Sequence, residues 1–565
     1  MAENIEEMEN IIGREAEKAS LLLAFESNEA ELIAIYGRRR VGKTFLVRQF
    51  FANELVFEFS GQHDAKTQEQ LKNFSSKIDE YIKSPFSSIV PQNWQEAFSK
   101  LKVYLEPILA QQKAVVFFDE FPWIDVAKSN FLASFDYFWN DWASKKSNLK
   151  IVICGSAASW MIRKVVQNRG GLHNRITRKM RLLPFDLNET EKYLISRNIY
   201  LDRFQLLEIY MAMGGVPHYL KEVKKGESST QIIDNVCFTK DGLLADEFKN
   251  LFTSLFKNPT LHIQIMRILA KKGTGLTRNE LIANTDLTSG GTSSQIIEEL
   301  EESGFITSFV PFEKAKNDII YKLSDEYSMF YLKFIENNKN SWTSIKNTAS
   351  WRSWSGLAFE AICQKHIKQI KKALGISGIY TQESAWRYAG NAEEKGTQID
   401  LLIDRKDQCI NLCEVKFSES AFVIDKQYAE NIQQKIAIFK EKSKTRKSIF
   451  FTAISTYGFK NNEYKLRWVQ NEIVMEDLLH PKIFGNYLII SYLNINPSNH
   501  CSYIFSTQIY KSMICIFETS SENITSFSKK TIRLLAIFFN FYLLYFFVIV
   551  FPNFNTNSYG YAHKN

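Results

Sequence analysis

Apolar runs and helical patterns take turns between Leu32 and about Asn188. The runs are LIAIYG, LVFEFSG, AVVFFDE and KIVICGS. Few polar residues interrupt them, as expected of strands covered on both faces. Their alternation with helical patterns predicts an α/β layer built on a parallel sheet. From about Leu187 to Asn258 the pattern turns helical, and Asn188 with Glu191 reads as an N-cap with its capping-box partner. Residues 259–335 read as three helices and short strands. PTLHIQIMRILAKKG ends at Gly273, LTRNELIANTDL places Thr277 as an N-cap with Glu280 three residues on, and SGGTSSQIIEELEESGFI supplies the third helix. ITSFVPFEKAKNDIIYKLSD then reads as a wing of short strands. The stretch 336–353 (ENNKNSWTSIKNTASWRS) is polar and aperiodic and predicts a linker. A second α/β-like segment runs from about Trp354 to His480.

A chain of 565 residues is too long for one core and calls for three or four domains. The hydrophobic fraction of 45% and charged fraction of 23% are those of a globular protein. A net charge of +8 is a mild bias at this length, compatible with nucleic acid without pointing to it. The seven cysteines are scattered with no CxxC pair or Cys/His cluster, which argues against a zinc site. The opening MAENIEEMENIIGREAEKAS is acidic and polar, unlike a signal peptide, so the expected location is the cytoplasm.

LIAIYGRRRVGKTFLVRQF contains Gly37-x-x-x-x-Gly42-Lys43-Thr44 between an apolar strand and a helix. This is the context a phosphate-binding P-loop requires. The backbone from Gly37 through Arg38, Arg39, Arg40 and Val41 to Gly42 would turn its N–H groups toward phosphate oxygens. Lys43 would reach the β- and γ-phosphates of ATP, and the Thr44 hydroxyl would ligate Mg²⁺. AVVFFDEFPW carries Asp119 and Glu120 to a strand's C-terminal end, where open α/β sheets bind ligands. Asp119 would hold Mg²⁺, and Glu120 would orient and deprotonate the attacking water. In KIVICGSAASWM, Ser156 reads either as a hydrogen-bond partner of the γ-phosphate or lytic water, or as a helix N-cap. Gly13 and Arg14, in IIGREAE, read either as a loop over the adenine or as plain surface loop.

Taken together, GREAE, GRRRVGKT, VVFFDEFPW, ICGSAASWM and GGVPHYL resemble the archaeal-type P-loop ATPases, a branch of the AAA-like and signal-transducing (STAND-related) NTPases. The resemblance covers about residues 10–340 and continues beyond. It implies an AAA-like α/β P-loop ATPase core over 1–186, a helical lid over 187–258 and a winged helix-turn-helix over 259–335. It also implies that Gly215-Val216-Pro217 approaches the nucleotide. An arginine after the fourth strand would serve a neighbouring subunit of a homo-oligomer; Arg175 matches best, with Arg169 and Arg178 close by.

In a DNA-reading winged helix, Thr292, Ser293, Ser294 and Gln295 would face base edges. Glu298, Glu299, Glu301 and Glu302 follow and would repel phosphate. DNA reading and protein contact or lid packing therefore both remain open.

WSGLAFEAICQKHIKQIKKAL is an amphipathic helix bearing Glu360. Gln398–Asp404 and Ile410–Phe417 read as a hairpin turning at RKDQ. Glu414 and Lys416 share a strand face, and Asp400 can sit beside Glu414. The spacing, with its upstream glutamate, resembles the PD-(D/E)XK restriction-endonuclease-like fold, and the domain fused C-terminally to this ATPase family, over 354–480. The resemblance implies Mg²⁺ on Asp400, Glu414 and the Val415 carbonyl, with Lys416 acting on the attacking water or the pentavalent phosphate. Glu360 would be an outer ligand, and Gln433 or Lys435 would touch DNA. Such charges on an open sheet face also occur without chemistry.

Residues 481–565 change character, filling with Phe, Ile, Asn, Tyr, Ser and Lys. Leu534–Phe551 is long and apolar enough to span a bilayer, with Lys529, Lys530 and Arg533 before it. A membrane anchor and a frameshifted or read-through end are both open. Three functions compete: an ATP-driven switch on a Mg²⁺-dependent nuclease, a nucleotide-dependent DNA- or protein-binding scaffold with a silent nuclease fold, and a membrane-tethered ATPase.

Overall fold

A computed structural model describes residues 11–84, 89–166, 172–287, 290–314, 318–337, 341–390 and 396–480. The expected apolar span 534–551, the rest of the tail and Arg169 lie outside these residues. Among the described residues no helix is long and apolar enough to cross a membrane.

The four apolar runs form strands β1 (Glu31–Tyr36), β2 (Leu55–Ser60), β3 (Ala114–Asp119) and β4 (Leu149–Gly155). With β5 (Arg178–Arg181) they make an all-parallel sheet in the order β2-β3-β4-β1-β5. Every residue of β3 and β4 is buried. Alternate side chains feed two cores, as strand geometry requires. Leu32, Ala34, Val116, Phe118, Ile151 and Ile153 pack with the helices Thr67–Ile82, Trp94–Leu109 and Phe131–Asp141. Ile33, Ile35, Val115, Phe117, Val152 and Cys154 pack on the other face, with Leu46 and Val47 of the helix Lys43–Phe50. Because β4 lies between β1 and β3, the carboxyl ends of three adjacent strands converge on one crevice.

The helix Leu187–Ser196 opens the next segment. Its N-cap is Asp186, whose side chain accepts from Glu189 N at 2.8 Å while Glu189 reaches back to Asp186 N. The expected cap at Asn188 is thus corrected by two residues. An Asp-x-x-Glu pair already stands at 186 and 189, and its carboxylate takes the first free N–H group.

The segment 259–335 contains helices Thr260–Lys271, Arg278–Ala283 and Gly291–Glu302. Thr277 and Glu280 close a capping box on the second. Strands β6 (Leu276–Thr277), β7 (Ile306–Phe309) and β8 (Ile320–Leu323) form an antiparallel sheet in the order β6-β8-β7.

The expected linker at 336–353 is not one. Trp342 and Trp351 are buried, and the helix Ala349–Lys365 begins inside the stretch. Trp342 meets Phe330 at 5.1 Å and Trp351 at 5.0 Å between ring centroids. Two tryptophans among polar residues outweigh the polarity, since each buried indole removes a large apolar area from water.

The helix Ala349–Lys365 packs on the second sheet, formed by β9 (Thr381–Tyr388), β10 (Thr397–Arg405), β11 (Cys409–Lys416), β12 (Ser448–Ser455) and β13 (Asn471–Val474). The order is β13-β12-β11-β10-β9. β9, β10 and β11 run antiparallel, and β12 and β13 add in parallel after the crossover helix Lys426–Ser443. One buried apolar cluster runs from Phe185 through this sheet to Leu479, so the segments from 185 to 480 share a core.

Candidate functional site

The loop after β1 is shaped by glycine. Gly37 has φ 145°, and a Cβ there would lie 2.2 Å from the Leu182 carbonyl oxygen. Gly42 has φ 90° and faces open space at the start of the helix Lys43–Phe50, where an anion would meet free N–H groups. Lys43 is buried, and its Nζ donates to the carbonyls of Gly37 (2.9 Å) and Arg38 (2.8 Å). Burial lowers the pKa of this ammonium, opposed by Cys154, Glu120 and Asp119. An added anion would relieve that desolvation.

The other half of the crevice comes from β3 and β4. Thr44 Oγ1 donates to Asp119 Oδ2 at 2.7 Å, joining the loop to the end of β3. Burial pushes the Asp119 carboxyl up, against the pull of Thr44. Glu120 follows in a left-handed conformation (φ 44°), a strained setting for a non-glycine residue. Its carboxylate accepts from Ser156 Oγ (Oε2 at 2.6 Å) and from Ser156 N (3.2 Å) at the end of β4. Residues 37–44, 119–120 and 156 are thus one site. Thr44 and Asp119 place two oxygens side by side with a partly desolvated lysine beyond. That donor set fits Mg²⁺ and a triphosphate.

The loop arginines, expected to offer backbone N–H groups to the nucleotide, engage their side chains with the protein. The Arg38 guanidinium is buried, paired with Asp325, within 3.4 Å of the Tyr219 hydroxyl and 5.0 Å from the Phe305 ring centroid. Arg39 lies 5.5 Å over Trp123, and Arg40 pairs with Glu247 at 2.8 Å. Carboxylates thus hold the side chains of Arg38 and Arg40, leaving their backbone N–H groups for phosphate. Gly13 packs on Glu189, and a Cβ there would meet the carboxylate at 2.7 Å. Arg14 is also buried, 4.6 Å over Phe185 and within 3.3 Å of the Val41 carbonyl. The pair therefore buttresses the phosphate loop from the helical side. Gly215 meets the Phe185 backbone, where a Cβ would lie 1.9 Å from the carbonyl oxygen, and Pro217 starts the short helix Pro217–Leu220. Arg40 lies 6.0 Å over the Tyr219 ring, which puts this segment beside the loop, and burial with Arg40 depresses the His218 pKa. Arg175 is exposed, whereas Arg178 sits 3.8 Å from Glu31.

The helix Gly291–Glu302, for which DNA reading and protein contact or lid packing are both open, docks on the sheet domain. Glu299 pairs with Arg163 and His262, both at 2.8 Å, and Arg181 donates to the carbonyls of Glu301 and Glu302. Ser293 is buried and Gln295 donates to Glu299. Thr292 and Ser294 stay exposed. The acidic row that argued against phosphate therefore makes protein contacts.

Glu360 on the helix Ala349–Lys365 and Asp400, Glu414 and Lys416 on the second sheet lie near enough for their charges to act on one another. The β10–β11 register pairs Leu401 with Cys413, which sets Asp400 opposite Glu414. Glu414 accepts from Tyr428 (2.9 Å), Lys416 (3.0 Å) and Lys435 (2.6 Å). Those lysines hold its carboxyl below the usual range against the effect of burial. Burial and the neighbouring Asp400 raise Glu360 to about 7. Burial and Glu414 raise Asp400. Among the described residues no three His, Cys, Asp or Glu side chains stand close enough to hold a metal ion. Lys435, expected to touch DNA, neutralises Glu414 instead.

Sequence reasoning missed Asp325, Glu247, Tyr219, Lys322 and Tyr428. Each acts across more than ten residues of chain, so no local spacing marks it.

A parallel sheet with a glycine loop after β1 and acidic residues ending β3 defines a P-loop NTPase-like α/β fold. Residues 11–223 match an ATPase domain family predominantly from Archaea. The chain is 25% identical over 418 residues to the uncharacterized protein MJECL04 of Methanocaldococcus jannaschii, covering 72% of this chain and 88% of that protein. A second protein of that organism, the uncharacterized ATP-binding protein MJ0423, is 42% identical over 45 residues, covering 8% of this chain and 76% of its own. Among solved structures, the Walker-type ATPase PABY2304 of Pyrococcus abyssi aligns at TM-score 0.43 and 20% identity, over 58% of this chain and 97% of its own. The ORC2 protein of Aeropyrum pernix aligns at TM-score 0.36 and 14% identity, over 57% and 93%.

Proposed function

We propose that the chain binds and hydrolyses ATP with Mg²⁺ and that its nucleotide state governs a nuclease-like module acting on DNA. The observation that carries the first half is the Thr44–Asp119 hydrogen bond beneath the Lys43 loop. Thr44 and Asp119 would hold Mg²⁺, which would neutralise charge on the phosphates. Lys43 would neutralise phosphate charge beside it. Glu120 would accept the proton of the attacking water, with Ser156 fixing the carboxylate's orientation.

The second half rests on a relay of buried charge. Arg38 pairs with Asp325, and the adjacent Glu326 takes both oxygens' bonds from Lys365 at 2.7 and 2.8 Å. Lys365 ends the helix that carries Glu360. The order of elements in the second module, a helix, three antiparallel strands, a crossover helix and a parallel strand, supports a restriction-endonuclease-like reading. The elements of 259–335 likewise support a winged helix. Asp400 and Glu414 would be the metal ligands, since crowded carboxylates favour a hard cation. Glu360 stands as an outer group, and Lys416 would stabilise phosphate charge.

A second reading is a catalytically silent module, favoured by the three donors that saturate Glu414. Linear and supercoiled DNA incubated with Mg²⁺ and ATP separates the two readings. Cleavage by wild type, lost in Asp400→Ala and Lys416→Ala, supports the nuclease. Equal cleavage by all, or none by any, removes it.

A further inference from the structure

A cleft of about 630 Å³ opens between the helix Thr260–Lys271, strand β8, the turn Tyr331–Ile335 and the helix Ala349–Lys365. Five cations line it, Lys249, Arg267, Lys271, Lys322 and Lys333, against one acid, Glu336. Arg267 already pairs with Glu336 at 2.6 Å, so the rim keeps a strong positive excess. The floor differs from the rim. Leu269, Met329, Trp354, Leu357 and Ala358 form it, and Leu357 is 40% exposed although it sits inside this cationic ring. Lys322 belongs to two places at once. It lines the cleft, and its charge acts on both Glu360 and Asp400. None of Thr292, Ser293, Ser294 and Gln295 takes part.

We infer that this cleft binds a single-stranded segment of nucleic acid and leads its backbone past Lys322 to the Glu360–Asp400–Glu414 cluster. The inference deepens, and rests on, the reading of the C-terminal module as one that acts on DNA. Cations at the rim answer a row of phosphates. An apolar floor answers base faces, which only an unpaired strand exposes. A duplex would engage the rim and leave the floor unused. The Lys322 charge reaches Glu360 and Asp400, so a phosphate held there brings the strand toward the carboxylates, where cleavage is proposed.

The test is fluorescence anisotropy of the full chain with a labelled oligonucleotide, single-stranded or annealed to its complement, across a salt series. Wild type is expected to prefer the single strand. Lys249→Gln, Lys271→Gln and Lys333→Gln combined are expected to weaken it at least about tenfold and to reduce the salt slope by about 2, since each phosphate contact on a single strand contributes about 0.7. Should the triple variant fail to fold in a thermal melt, the single Lys271→Gln and Lys333→Gln variants carry the test, each with a slope change of about 0.7. A wild-type salt slope in the variants, a preference for duplex, or equal displacement by base-free polyphosphate each overturns the inference. Asp400→Asn keeps the two claims apart. If it binds as wild type does, and neither protein cleaves, the nuclease reading fails while the cleft stands.

Discussion

Asp325→Asn removes one charge from a buried ion pair, Arg38–Asp325, and leaves an oxygen to cap the helix Glu326–Phe330. Arg38 and Asp325 are each 2% exposed. Asp325 Oδ2 also accepts from Ser328 N at 3.0 Å and Ser328 Oγ at 2.6 Å, a cap that asparagine can keep. Arg38 keeps its charge in any accessible pH range and has the Tyr219 hydroxyl, at 3.4 Å, as its other acceptor. Removing one partner of a buried pair costs about 3–5 kcal/mol, because the remaining charge stays desolvated. Coulomb attraction of about 4 kcal/mol at 4 Å and an effective dielectric near 20 gives the same scale. Replacing both partners, Arg38→Met with Asp325→Leu, should recover most of the loss, less about 1 kcal/mol for the cap. The assay is urea unfolding of wild type, both single variants and the double, with ATP affinity measured on each. ATP binding should weaken in Asp325→Asn, because the Arg38 carbonyl that holds Lys43 belongs to the same residue. A loss below about 1 kcal/mol in Asp325→Asn would falsify the claim that this pair anchors the phosphate loop.

Ser156→Ala should slow ATP turnover by about ten- to a hundredfold with little change in ATP affinity, as removal of a positioning group does; an equal loss in affinity would point to a structural role, and Ser156→Thr should restore part of the rate. Gly215→Ala drives a methyl group into the Phe185 backbone and should cost at least about 2 kcal/mol in thermal or urea unfolding. His366 is buried, donates from Nδ1 to Ile362 O at 2.8 Å and accepts at Nε2 from Leu187 N at 3.0 Å. Burial depresses its pKa below the ordinary 6.5, with Asp186 opposing and Lys365 adding to the shift. The folded state therefore takes up its proton later than the unfolded chain, and stability should fall as pH drops below about 6.5. His366→Asn should flatten that part of the melting-temperature profile; an unchanged slope between pH 7 and 5 contradicts the assignment.

The parts of this structure legible in the sequence are those fixed by short-range chemistry. β1, β3 and β4 betray themselves because both their faces are covered, the edge strand β2 by its apolar run, and the phosphate loop because its glycines, lysine and threonine must be contiguous. β5 reads RKMR and escaped notice, since it borders only β1 and buries only Met180. β9 alternates like any half-exposed edge strand. The spacing of Asp400, Glu414 and Lys416 was visible because a hairpin of fixed register brings them together. Their saturation by Tyr428 and Lys435 was not, since those groups come from a helix beyond the hairpin. The arginines of the loop read as backbone donors to phosphate, and nothing near them in sequence marks where their side chains go. Their partners lie up to 287 residues away. The polar stretch before Trp354 reads as a linker because composition averages over residues, while packing depends on where its two indoles, Trp342 and Trp351, are buried.

The central claim is that Lys43, Thr44, Asp119 and Glu120 form one ATP-hydrolysing site. Single-turnover hydrolysis of radiolabelled ATP with Mg²⁺, beside equilibrium ATP binding, on wild type, Lys43→Ala and Glu120→Gln tests it directly. Wild type should bind and cleave, Glu120→Gln should hold ATP uncleaved, and Lys43→Ala should fail to bind. Wild-type cleavage by Glu120→Gln, or undiminished binding by Lys43→Ala, would contradict it.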